Sequence, residues 1–136
     1  MKITSQPSQV NASISQLNNF LCDCHNYIYL LPQDQISEWK AEVEWCSFKV
    51  QGGIIITLVL DKENTTDHTI KLKSGEKSPF PFQLTINLKE INDITEGYII
   101  FDGDVNVFLK MMIERPLTNL FNTMTGNLKL HFQASN

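Results

Sequence analysis

Arginine is almost missing from this chain: Arg115 stands alone among eleven basic side chains, and fifteen acidic ones bring the net charge to −4. Such a balance excludes the basic footprint that a nucleic acid or an anionic membrane surface requires. Three cysteines are too few for a disulfide framework and suit a reducing, cytoplasmic setting. The longest apolar run, residues 54–60, is interrupted by Thr57 and is far shorter than the roughly 20 residues that span a bilayer. Its β-branched side chains fit a buried strand instead. No apolar stretch follows Lys2, so the N-terminal segment does not read as a signal peptide. There is no Gly-x-Ser-x-Gly elbow and the three histidines are scattered, which leaves nucleophilic catalysis without local support. Nor does a paired-acid strand run into a hydroxyl-rich phosphate loop, which excludes phosphoribosyl transfer.

What the chain does have is patterned hydrophobicity. With 136 residues, 42% of them hydrophobic, one domain over 1–136 is expected. Ser13 and Gln16 form a capping-box pattern. Ile14, Leu17, Leu21, Cys24, Ile28 and Leu31 then recur every three or four residues up to Pro32. Residues 13–31 are therefore read as helical, with Asp23 available as the N-cap of a second short helix. The period next changes to two. Trp39, Ala41, Val43 and Trp45 alternate with charged residues, and the parity shift at Cys46 signals a turn or bulge. Gly52-Gly53 and the loop at 63–67 separate further strands, Ile70 and Leu72 alternate with lysines, and residues 82–89 alternate cleanly. Asn92-Asp93 turns the chain into a last strand, read from Tyr98 to Phe101. This one-sided alternation predicts an antiparallel sheet with one face covered. From the N-cap Asn106 to about residue 130, Leu109, Met112, Ile113, Leu117, Leu120, Phe121, Met124 and Leu128 mark one helical face. Pro116 lies inside it, where a kink is expected.

Several groups invite chemistry and are met more simply by structure. In Cys22-Asp23-Cys24-His25, Cys22 and His25 share a helical side, but Cys24 points into the apolar stripe, so the cluster falls short of a zinc site. Asp102-Gly103-Asp104 begins like a calcium loop, yet Val107 and Ile113 stand where that signature needs glycine and glutamate. Neither a metal nor a cofactor is expected. Arg115 could clamp a carboxylate or phosphate. On a helical wheel, however, it lies opposite the apolar face and so meets solvent or a partner. Phe108 and Met111 share that outer side, where a homodimer contact is conceivable.

The order of elements carries a resemblance: a short strand, one or two short helices, successive hairpins and a long terminal helix. Its residues are Asn11-Ala12-Ser13, Phe20 to Asp23, Leu30-Leu31-Pro32, Trp45-Cys46-Ser47-Phe48 to Gly52, Asn106 to Met112, and Arg115-Pro116-Leu117. In these the chain resembles a small bacterial branch of the START/Bet v 1-like (SRPBCC) superfamily. The resemblance implies an α+β helix-grip fold, in which a curved antiparallel sheet packs on a long C-terminal helix around a mostly apolar cavity. It further implies binding or carriage of a small hydrophobic molecule, without stable membrane insertion. On that fold the cavity would be lined by Trp39, Phe48, Ile56, Leu58, Leu72, Leu84, Ile86, Tyr98, Ile100, Met112, Leu120 and Met124, and no residue is singled out as catalytic. Other members are cyclases or dehydratases, and some are co-chaperone modules. An enzyme of that sort would need an acid or base such as Tyr98, His68 or Asp61 in the cavity.

Overall fold

The computed structural model describes residues 1–133, so the last three positions of the expected domain lie outside the described residues. Eight strands form one antiparallel sheet: β1 (Lys2–Thr4), β2 (Ser8–Val10), β3 (Ile36–Ala41), β4 (Trp45–Val50), β5 (Ile55–Leu60), β6 (Thr69–Ser74), β7 (Phe82–Ile91) and β8 (Ile94–Gly103). They run in the order β1-β8-β7-β6-β5-β4-β3, with β2 also on β8. Between β2 and β3 come helix α1 (Ile14–Leu21) and a 3₁₀ turn (Cys24–Tyr29), and helix α2 (Val107–Gln133) closes the chain. One face of the sheet packs on α1, the 3₁₀ turn and α2; the other is turned outward.

Local chemistry accounts for the punctuation. Ser13 and Gln16 make the capping box at α1, and Glu90 at the β7–β8 turn accepts from the Ile14 amide at 2.9 Å. A carboxylate at that helix end is favourable. Asp23 caps the 3₁₀ turn through the His25 amide at 3.0 Å, so the expected helix over 13–31 divides there. Gly52 and Gly53 both adopt positive φ in the β4–β5 turn, as a tight hairpin requires. Asn92, the turn residue between β7 and β8, also has positive φ, at 51°.

Two details differ from the sequence reading. The chain turns at 42–44, leaving Val43 half exposed and Trp45 at the head of β4 on the outer face. The bulge falls earlier, at Glu38 (φ 54°), where the β3–β4 register shifts between Ser37 and Lys40. The last strand begins at Ile94, four residues before Tyr98, because the β7–β8 hairpin continues its pairing to Ile91 and Ile94.

The core lies between the inner sheet face and the helices. Ile113, Leu117, Leu120, Phe121, Met124, Thr125 and Leu128 are the buried residues of α2. The helix runs through Pro116 without interruption, since its apolar face keeps phase on both sides. Phe121 reaches Phe101 with ring centroids 5.2 Å apart, and Phe101 in turn meets Phe80 and Phe82. Polar ties fix the helix as well: Thr125 donates to Gln6 O at 3.0 Å, and Asn127 donates to Leu30 O at 2.9 Å.

Candidate functional site

At the open end of the grip, α2 stands apart from the ends of β3 and β4. Ile36 and Val50 are cross-strand partners there, and Pro32 and Gln35 precede them on the turn after the 3₁₀ segment. Opposite them α2 presents Arg115, Pro116, Asn119 and Leu120. These residues, with Gln51, enclose a half-open cavity of about 170 Å³. Its floor is apolar, from Ile36, Val50, Leu120 and the two prolines. Its rim is polar, from Arg115, Gln35, Gln51 and Asn119, all exposed. No carboxylate lines it. The nearest acidic neighbour in sequence, Glu114, is directed toward Lys110 at 3.9 Å. Among the described residues, Arg115 has no ion pair and none of the three amide side chains has a hydrogen-bond partner. The rim is thus rich in donors and carries one permanent positive charge.

Of the residues expected to line a cavity, Phe48, Ile56, Leu58, Leu72, Leu84 and Ile86 from the sheet are brought together with Leu120 and Met124 from α2. All eight are buried in one cluster, packed on one another, and Leu120 also borders the cavity at the open end. Trp39 is half-buried on the same face, stacked on Phe48. Three others are placed elsewhere. Tyr98 and Ile100 pair with Asn87 and Thr85 on the outer face, because the inner parity of β8 belongs to Thr95, Gly97, Ile99 and Phe101. Met112 is 62% exposed. It sits about 100° around the helix from Ile113, beyond the buried arc. Reading the chain alone missed Pro32, Gln35, Ile36, Val50, Gln51 and Asn119. Only the β3–β4 register and the approach of α2 assemble these, and neither is local in sequence.

The acids and bases named for an enzyme are not on the inner face either. His68 is exposed before β6, and Asp61 follows β5, accepting from Asn64 Nδ2 at 2.8 Å. The titratable side chains that are buried inside are Tyr27, Cys24 and Cys46. Burial pushes the Tyr27 phenol well above its ordinary value, and its hydroxyl donates to Leu21 O at 2.9 Å. The Cys46 thiol is raised first by its hydrogen bond with Cys24 and then by burial. Tyr27 and Cys46 therefore hold their protons at neutral pH. Among the described residues, no three His, Cys, Asp or Glu side chains converge as a metal site. No described helix is long and apolar enough to cross a membrane.

Known proteins place the fold. No family model and no curated sequence matches the chain. Solved structures do. A START superfamily protein from Mycobacterium smegmatis superposes with a TM-score of 0.70 at 12% identity, covering 99% of both chains. The protein XoxI from Bacillus cereus gives 0.72 at 14% identity, over 98% of this chain and 96% of that one. A conserved protein from Geobacillus kaustophilus gives 0.71 at 13%, over 99% and 97%. The architecture is therefore the START/Bet v 1-like helix-grip fold, an α+β arrangement of curved antiparallel sheet and long C-terminal helix.

Proposed function

We propose that the protein binds a small amphipathic molecule, apolar with one anionic group, at the open end between the sheet and α2, and does so without catalysis. The observation that carries this is the unpaired Arg115 over an apolar floor, in a rim without acids. A guanidinium is the side chain best suited to a carboxylate or phosphate, and Gln35, Gln51 and Asn119 add neutral donors around it. The cavity is smaller than the roughly 300–1,000 Å³ usual for drug-sized ligands, so the ligand is short-chained or inserts one end. Direct titration with octanoate, octanol and octylamine tests this. Octanoate binds best, and Arg115→Gln weakens it about tenfold, the equivalent of one charge-assisted hydrogen bond, while leaving octanol unchanged. Equal binding of octanoate and octylamine, or indifference to Arg115→Gln, overturns the reading.

A second reading concerns an interaction surface. Val107, Phe108, Met111 and Met112 on the first turns of α2 are 76%, 75%, 80% and 62% exposed. Contiguous exposed side chains of this kind favour a partner. A second copy fits, since an antiparallel helix pair would set Lys110 of one protomer against Glu114 of the other. Sedimentation over a concentration series shows a dimer that Met111→Glu dissociates; a monomer at all concentrations removes this reading.

A further inference from the structure

The outer face of the sheet holds a groove of about 470 Å³, on the side away from α2. A gripping sheet is convex on that side, and a convex face does not ordinarily enclose space. The reason for the hollow is in the register. Ser47 of β4 pairs with Thr57 of β5, and Gly75 donates its amide to Thr57 O at 3.1 Å from the end of β6. Three small residues thus lie in one row across three strands. The flanking rows are larger: Trp45 opposite Val59, and Lys49 opposite Ile55. The row of small side chains sinks below its neighbours and forms a trough.

Its walls are specific. A Cβ at Gly75 would lie 2.6 Å from Thr57 Cγ2, so glycine is what allows the segment carrying Glu76 and Lys77 to settle against β5. On the other side the Glu38 bulge and Lys40 of β3 rise along the sheet edge. Trp45, Ile55 and Val59 supply apolar surface. The charged residues of the groove are Lys40, Lys49, Lys77, Glu38 and Glu76. Lys49 is taken by Glu38 at 2.9 Å, which leaves Lys40 and Lys77 against Glu76. The groove is therefore net positive in a chain that is net negative, and it gathers three of the ten lysines.

From this we infer a second ligand site, independent of the one at α2, that takes a flat aromatic molecule bearing a carboxylate. The ring lies in the trough on the Trp45 side, and the carboxylate meets Lys40 or Lys77, which stand on opposite walls. The volume falls within the range of small-molecule sites. Two lysines on the walls of a trough flanked by apolar side chains favour an anion over a neutral or cationic ring of the same shape.

The test uses 2-naphthoate, 2-naphthol and 2-naphthylmethylamine, titrated into the uniformly ¹⁵N-labelled protein. 2-Naphthoate shifts the amides of 45–49, 55–59 and 75–77, and binds about tenfold more tightly than the amine. The exposed double change Lys40→Gln with Lys77→Gln weakens 2-naphthoate about tenfold and leaves 2-naphthol as it was. Arg115→Gln leaves 2-naphthoate binding intact, which separates this site from the cavity at α2. Shifts confined to 32–36, 50–51 and 115–120, equal binding of acid and amine, or an unaffected lysine variant each overturns the proposal.

Discussion

Trp39 lies nearly flat against Phe48, with ring centroids 6.4 Å apart and planes inclined by 26°. The contact exists because the backbone bulges at Glu38, so that Ile36, Trp39 and Ala41 all face inward although their spacing is not even. Glu38 itself takes φ 54°, a conformation that β-branched residues resist. Glu38→Val is expected to lower Tm by about 5 °C and to change the near-ultraviolet signal of Trp39, whereas Glu38→Gly leaves both close to wild type. Thermal melts followed by near-ultraviolet circular dichroism check this.

Thr95 is fully buried on β8, and its hydroxyl donates to Ala12 O at 2.7 Å. This bond ties the segment entering α1 to the last strand. Thr95→Val keeps the shape and strands the carbonyl, at a cost of about 1–3 kcal/mol. Thr95→Ser keeps the bond and loses a methyl, at about 1 kcal/mol. Urea unfolding of the two variants should rank them in that order.

The carboxyl of Asp23 is held below its ordinary value, first by its hydrogen bond with the His25 ring at 2.8 Å and then by the His25 amide. A lowered carboxylate favours the fold where it is ionised, above the unfolded value near 4, and that contribution is lost as pH falls through the lower folded value. Asp23→Asn can still cap the turn but does not titrate. The stability difference between wild type and Asp23→Asn should therefore shrink as pH falls from the ordinary carboxylate value through the lower folded value. Because Asp23 is 41% exposed, salt should reduce the difference further. Denaturant midpoints from pH 2.5 to 7 measure both effects.

The three cysteines are free thiols in different settings. Cys24 and Cys46 are buried, and Cys46 is raised by the Cys24 thiol and by burial. Cys22 is half-buried and raised less directly, by burial and then by Cys24. An aromatic disulfide reagent at pH 8 should label Cys22 slowly in the native protein. Cys24 and Cys46 should react with it only in denaturant. Peptide mapping after alkylation gives the order.

Much of this architecture was legible because it is written in local periodicity. The capping box at Ser13, the second cap at Asp23, the glycine turn at 52–53 and the alternation along β7 each depend on a few adjacent residues. Position in the sheet was harder. Tyr98 and Ile100 are apolar and alternate correctly with one another, but strand parity alone does not say which face is covered; the pairing partners of β8 decide it. The bulge at Glu38 changes parity without leaving a glycine to mark it. The open-end cavity was harder still, since it joins residues 32–36, 50–51 and 115–120. Arg115 was visible as the sole arginine, while the absence of acids around it follows from tertiary approach and not from its neighbours in the chain.

The pairing of Ile3 with Phe101 and of Val10 with Thr95 puts β1 and β2 against β8, with strands β3 to β7 lying between them in the chain. A ribosome-bound chain must hold residues 2–10 without a strand partner until β8 has emerged. By then the hairpins from β3 to β7 can already have formed. Closure of the sheet is thus a late, long-range step, and substitutions along β1, β2 or β8 should slow refolding more than equal losses of stability within the central hairpins.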